Sequence, residues 1–523
     1  MRLQRYLKVG VLKWVSFLIF NSTSAQTEIE YLRDSVLKSI DNGMIATIRY
    51  RPKDSAGAIG LPNKYSSPSP MGCAMFSELY YWDAFFSNRY YWLPKAKLGN
   101  IEAFEIARGN VNNLIYLVNK YGFVPNANRF SMLNRSQLPL LSEMVKDIFE
   151  ISGDVNWLQT AVEALEREHQ FWMQNRAVQV KVKGDFVSLN RFGNQANREQ
   201  LIGFYKFLKQ RLQPNSGYLL NGAVSVPSTL FDAHTILASD ERELDSQLYF
   251  ASHLLAEAES GWDFTPRFQG HCMDFIPVDL NAVLGSMEQN MVDFYRALQA
   301  FESDPYKIDI QNFRLVYYQK AVVTRKLAMD KYLWNKNYGC YLDYNWRKFD
   351  VGQPVRKQSL LTAASFWPIY LNWGKESNAR SVHRMLNALM FHDVVMPIAK
   401  YEAHAQEMPY VCQWHAPNVW APLQILAWAS IQSKPLGQDF WMISAIKNSW
   451  LHLVTKQWET DGKFKEKYSA ITNESDVQLF NNWQSIGTMK KEVNENFTVE
   501  EGYGTPTMMG WTAAVTYFFL LLP

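Results

Sequence analysis

The sequence predicts an all-α protein whose helices close into a ring, or toroid, around one pocket. Three observations lead there. Apolar residues recur at helical spacing in segment after segment, period-two alternation is scarce and local, and no Pro- or Ser-rich linker or charge block divides the chain. An open solenoid would show a repeat of about 34 to 45 residues, and none is present, so a closed ring is the economical arrangement. In a closed ring the loops at the inner helix ends surround one cavity, which places the chemistry on loops.

The elements follow in order. Residues 1–25 combine a basic start, MRLQRYLK, with the short apolar run VGVLKWVSFLIF and small residues, STSA, before Gln26. This reads as a signal peptide directing the chain to the periplasm or beyond; the run is short for a membrane span, which needs about 20 residues. Residues 26–523 then read as a single helical domain. Asp154 is placed to cap VNWLQTAVEALEREHQFWMQ, in which Trp157, Leu158, Ala161, Val162, Leu165 and Phe171 form one apolar face. The same spacing marks NIEAFEIARGNVNNLIYLVNKYG, SQLYFASHLLAEAES, LNAVLGSMEQNMVDFYRALQAFE, IDIQNFRLVYYQKAVVTRKLAMDKYLW and SNARSVHRMLNALM. GKFKEKYSA is strand-like, with Phe464, Glu466 and Tyr468 on one side and Lys465 and Lys467 on the other. The closing stretch MMGWTAAVTYFFLLLP is too short and too mixed for an anchor and reads as a last core helix.

Composition narrows the function. With 53 Lys and Arg against 50 Asp and Glu the net charge is +3, too balanced for a nucleic-acid or anionic-membrane partner. A neutral small molecule fits better. Aromatic residues make up 15% of the chain, and Trp and Tyr faces suit the C–H faces of sugar rings, although most aromatics in a chain this long are core. Cys73, Cys272, Cys340 and Cys412 are far apart and form no C-x-x-C pair, so spacing supports no zinc site and leaves any disulfide pairing open.

Two acids have aromatic neighbours, a feature that by itself does not single them out among the 50 Asp and Glu. Asp263 follows a helix end on a Gly-Trp-Asp turn, and Glu466 follows the Asp-Gly turn at 461–462; both are flanked by aromatics that can exclude water. Two carboxyls in different environments can serve as general acid and general base.

Several motifs, in order over roughly residues 70 to 515, resemble the trehalase family. They are FSELYYWDAFF (76–86), PNANRFSMLNRSQLPLL (125–141), ESGWDFTPRF (259–268), VDLNAVL (278–284), LWNKNYGCYLDYN (333–345), QWHAPNVWAPLQ (413–424), EKY (466–468) and EEGYGTPTMMGWTAAV (500–515). The resemblance implies an (α/α)6 barrel of glucoamylase-like six-hairpin architecture. It also implies an inverting glycosidase, acting on trehalose or a related α-glucoside, with Asp263 as general acid and Glu466 as general base. It carries over as sugar contacts Trp82, Asp83, Asn126, Arg135, Ser136, Gln137 and Gly261, then Arg198 and Glu199 in a register without the family's proline, and Glu501 in a reordered Glu-Gly-Tyr. Taken alone, Asp83 could cap a helix, Arg135 could pair with a surface acid and Trp82 could be core. The resemblance implies no metal or organic cofactor, and the expected partner is a small sugar bound by a monomer.

The motifs also depart from the family. Cys73, Ala74 and Met75 stand where Gly-Gly-Arg is usual, so a sugar-holding arginine is missing. His415 replaces an aspartate, Val419 replaces a glycine, and Met508, Met509, Gly510 and Trp511 replace Gly-Phe-Gly-Trp. His415 could donate to a sugar hydroxyl or pack under Trp414. Both candidate catalytic acids are retained in a changed shell, which leaves three readings: hydrolysis of trehalose, hydrolysis of another α-linked oligosaccharide, or a sugar-binding paralogue without turnover.

Overall fold

The computed structural model describes residues 23–55, 57–73, 76–182, 184–211, 241–347, 360–375, 377–399, 413–415, 418–433, 440–470 and 507–522. Of the expected signal peptide, residues 1–22 lie outside these, as do Met75, Cys412 and Glu501.

Helices alternate between an outer and an inner layer. The outer α1 (Thr23–Ala46) is followed by the inner α2 (Tyr81–Ser87), which runs through a π-helical turn, Asn88–Trp92, into α3 (Leu93–Lys97). Then come α4 (Ile101–Tyr121, outer), α5 (Leu141–Ser152, inner) and α6 (Val155–Asn175, outer). An excursion holds α7 (Arg198–Arg211) and α8 (Glu241–Ser260), after which α9 (Val278–Gln299, inner) pairs with α10 (Pro305–Tyr332, outer). The short inner α11 (Trp367–Tyr370) precedes α12 (Ala379–Leu389, outer), and α13 (Ala421–Gln432, inner) precedes α14 (Phe440–Asp461, outer). A second π-helical turn, Met509–Ala513, leads into the inner α15 (Ala514–Leu521).

Packing closes the ring. The turn after α2 touches α5, α5 touches α9, α9 touches α11, α11 touches α13, α13 touches α15, and α15 returns to the turn after α2 and to α1. This is the expected (α/α)6 toroid, and its closing member is the C-terminal stretch expected to form a last core helix. Burial separates the layers. Every residue of α2 is buried, whereas α10 buries only one stripe, Gln311, Tyr318, Arg325, Ala328 and Met329. Among the described residues no helix is long and apolar enough to cross a membrane.

Local signals set the helix ends. Asp154 caps α6 as expected, its Oδ1 accepting from Trp157 N at 3.0 Å, and the apolar face from Trp157 to Phe171 is buried. Asn100 caps α4, which ends at Gly122 with φ of 83°. The strands are short antiparallel pairs, the longest being the hairpin Ala177–Val182 with Asp185–Asn190.

The strand expected over GKFKEKYSA is corrected. Only Tyr468–Ser469 is strand, paired with Asn418–Val419, and Lys465 and Lys467 are buried, as Glu466 is. Hydrogen-bond partners explain this: the Lys465 ammonium donates to Asp461, and that of Lys467 donates to the buried Gln413 Oε1 at 2.9 Å.

Candidate active site

The loop bearing Asp263 is shaped by its glycine and held from beneath by an arginine. Helix α8 ends at Ser260, and Gly261 turns the chain with φ of 82°. A Cβ at Gly261 would lie 3.0 Å from Trp82 Cζ2, so only glycine lets this turn close onto the indole. Trp262 stacks on Trp414 (5.4 Å between ring centroids, 10°) and Trp414 on Trp420 (3.8 Å, 4°). The Arg267 guanidinium lies 4.9 Å from the Trp262 ring centroid and forms paired bonds of 2.7–2.8 Å to Asp279 and 2.8 Å to Asp343. Asp343 Oδ1 also accepts from the Val278 N–H at 2.9 Å, tying the loop to the start of α9.

Glu466 is held by the C-terminal π-helical turn. Its backbone carbonyl accepts from Trp511 Nε1 at 3.1 Å, and that of Lys465 accepts from Thr512 Oγ1 at 2.7 Å. Met509 and Gly510 donate in turn to the Pro68 carbonyl at 2.7 and 3.0 Å.

Both acids line one pocket of about 520 Å³, Asp263 half-buried and Glu466 buried. Trp82, Asp83, Asn126, Arg135, Gln137 and Gly261 line it as well. Gln137 Oε1 accepts from Trp82 N at 3.1 Å, and Asn126 Nδ2 donates to the Ala258 carbonyl at 3.4 Å.

The other carried-over residues stand elsewhere. Ser136 is absent from the pocket lining and is buried with partners of its own: its N–H donates to Glu259 at 2.9 Å and its hydroxyl to the Val124 carbonyl at 2.6 Å. Arg198 and Glu199 are exposed on α7, and Arg198 pairs with Asp245 at 2.8 Å. The reason is local. Asn197 and Gln200 form a reciprocal capping box at 2.9 and 3.0 Å, which starts a helix at Arg198 and turns this segment outward. The N-x-x-Q pattern was readable in the chain. Glu501 lies outside the described residues.

Other lining residues were not singled out from sequence. Met132, Gln413, Trp414 and Trp511 sit inside quoted motifs, whereas Ala258 lies only in the helical stretch ahead of ESGWDFTPRF. His415 is half-buried and absent from the lining; its Nδ1 has no partner among the described residues, and burial lowers its pKa.

The electrostatics of the pocket are uneven. Burial, and then the neighbouring charge of Glu466, push the Asp83 carboxyl well above the usual carboxylate range, and its Oδ1 has no hydrogen-bond partner among the described residues. Burial lowers the Arg135 guanidinium to about 10, against the pull of Asp263, so it stays charged at neutral pH. The pocket thus contains a carboxyl oxygen without a partner among the described residues and, elsewhere in its lining, a buried guanidinium.

A stability prediction follows from Asp83. Its carboxyl ionises less readily in the folded chain than in the unfolded one. Its contribution is therefore fully present below the unfolded value of about 3.9 and is lost as pH rises toward the higher folded value. Asp83→Asn should melt at a higher temperature than the parent at pH 7, and the gap should close as pH falls to about 4. Calorimetry across that range checks the sign, and the same variant should lose activity.

A metal fits poorly at the cluster of His253, His271 and Asp274, whose ligand atoms lie within 4.8 Å of one another. His253 Nδ1 accepts from Met273 N at 3.2 Å, which leaves the ring proton on Nε2, and the Arg347 guanidinium sits 3.5 Å from Asp274.

Comparison with known proteins agrees with the architecture. The trehalase family profile matches residues 59–522. A probable trehalase of Oryza sativa subsp. japonica is 28% identical over 458 residues, 83% of this chain and 71% of that protein. A trehalase of Apis mellifera is 25% identical over 456 residues, 82% of this chain and 63% of its own length, so the chain spans less than two thirds of the bee enzyme. The structure of the neutral trehalase Nth1 from Saccharomyces cerevisiae shares the fold with a TM-score of 0.58 at 22% identity, over 93% of this chain and 79% of that one. Ring and relatives together define a glycoside hydrolase of the helical-toroid class. The chain belongs to the trehalase family.

Proposed function

We propose that this protein hydrolyses trehalose, or a closely related α-glucoside, with inversion at the anomeric carbon. The observation that carries the reading is that Asp263 and Glu466, from loops far apart in sequence, line one pocket. Asp263 protonates the glycosidic oxygen as the bond to the anomeric carbon breaks. Glu466 takes a proton from a water that attacks the opposite face. Such a pair needs a separation of about 6.5–9.5 Å, with the water between base and sugar. Trp82 and Trp511 offer apolar surface to the ring, while Asp83, Asn126, Arg135 and Gln137 meet its hydroxyls. The basic and apolar first 25 residues support action after export.

One observation favours a different α-linked substrate: Met132 and Met508 line the pocket, and a methionine offers a hydroxyl only weak hydrogen bonding. The test is a panel of α-linked glucosides followed by NMR from the first turnover. Trehalose cleaved with inversion yields one β-glucose and one α-glucose per event. Two α-glucoses would overturn inversion, cleavage of another member alone would move the substrate, and binding with no release from any sugar would leave a sugar-binding paralogue.

A further inference from the structure

Residues 413–415 and 418–420 bond to both acid-bearing loops. Toward Asp263, Gln413 Nε2 donates to the Asp263 backbone carbonyl, and the Trp414 N–H donates to the Phe264 carbonyl at 3.0 Å. Toward Glu466, Asn418–Val419 pairs with Tyr468–Ser469, and Lys467 Nζ donates to Gln413 Oε1 at 2.9 Å. Asn418 Nδ2 donates back to the Gln413 carbonyl at 2.8 Å, which steadies the glutamine's own backbone. The Gln413 side-chain amide therefore joins the backbone of one candidate catalytic residue to the side chain next to the other.

We propose that Gln413 and Lys467 form a strut that sets the spacing between the Asp263 and Glu466 carboxyls, and so the room left for the attacking water. The proposal rests on the reading of these two acids as general acid and general base. Both strut residues are buried, and the Lys467 ammonium lies 5.3 Å from the centroid of the Trp420 ring, the last member of the indole stack that begins at Trp262. A hydrogen bond from a buried cation is shorter, stronger and more directional than one between neutral groups. Water has little access to replace it. Inversion tolerates little error, because a displacement of about 1 Å in a reacting group can cost roughly 10²-fold in rate. Gln413 and Lys467 are thus positioning residues, acting through Asp263 and Glu466.

The test compares Gln413→Met, Lys467→Met, the double variant and the conservative Lys467→Arg. Each is assayed for kcat and KM on the best substrate of the panel, with thermal melting as a control. Either single substitution should lower kcat by roughly 10²-fold with KM changed by less than about threefold. The double should be about as slow as one single, since one strut can be broken only once. Lys467→Arg should recover part of the rate.

Losses that multiply in the double variant, a change confined to KM, or an unchanged kcat would overturn the strut. Should the methionine variants fail to fold, Gln413→Asn, which draws the amide back by one methylene, decides alone: a folded asparagine variant with parental kcat overturns the strut, and one with reduced kcat at parental KM supports it. Asp263→Asn and Glu466→Gln run alongside. Retained turnover in those two would sink the acid and base assignment, whereas inactive acid variants beside fully active strut variants would sink the strut alone.

Discussion

Asp263→Asn should lower kcat on trehalose by roughly 10²- to 10⁴-fold, the range expected when one positioned proton donor or acceptor is removed, and Glu466→Gln should do the same. A substrate that leaves without protonation separates the two. α-Glucosyl fluoride releases fluoride without an acid, so Asp263→Asn should keep much of its rate on the fluoride while Glu466→Gln, lacking the base for water, should not. Equal losses on both substrates would reassign Asp263. Folding is not the expected cause of either loss, because each substitution keeps the side chain's size and leaves the backbone hydrogen bonds of these loops in place: Asp263 O to Gln413 and Glu466 O to Trp511.

Arg267→Met should produce the largest loss of stability. The guanidinium is wholly buried with Asp279 and Asp343, also buried, and bonds both carboxyls through paired contacts. Removing the cation leaves two buried carboxyls facing each other, and breaking a buried ion pair from one side costs about 3–5 kcal/mol. Burial already raises the Asp279 pKa despite the arginine beside it, so without Arg267 that carboxyl should take up a proton at a still higher pH. Urea unfolding should therefore show the deficit shrinking as pH falls and Asp279 becomes neutral. Adding Asp279→Asn to Arg267→Met should recover part of the loss, because it removes one of the stranded charges. A deficit that does not depend on pH would mean that lost packing against Trp262 and Phe268, rather than charge, dominates.

Much of the fold was legible because helices are written locally. The spacing of Trp157, Leu158, Ala161 and Val162, with Asp154 ahead of them, specifies a capped amphipathic helix whatever surrounds it, and that helix is present. Legibility failed where a local signal was passed over in favour of an analogy. Arg198 and Glu199 were placed by motif order, while the Asn197 and Gln200 box beside them starts an exposed helix. It failed differently at Lys465 and Lys467. Alternation put both lysines on the side opposite Glu466, but all three are buried, and Asp461 and Gln413 give the ammonium groups partners that let them remain inside.

The chain by itself determined the alternation of helices, their caps and the aromatic and acidic character of the loops, whereas the two acids were singled out only by the resemblance of their motifs to the trehalase family. Helices, caps and loop character depend on residues within a few positions of one another, where spacing and side-chain type suffice. Tertiary structure alone decided that Asp83 lies against Glu466, that Gln413 reaches both the Asp263 loop and Lys467, and that Arg267 supports the loop from below. Such contacts depend on ring closure, which brings segments from opposite ends of the chain into one cavity and removes water from between them. Desolvation and charge coupling follow from that enclosure.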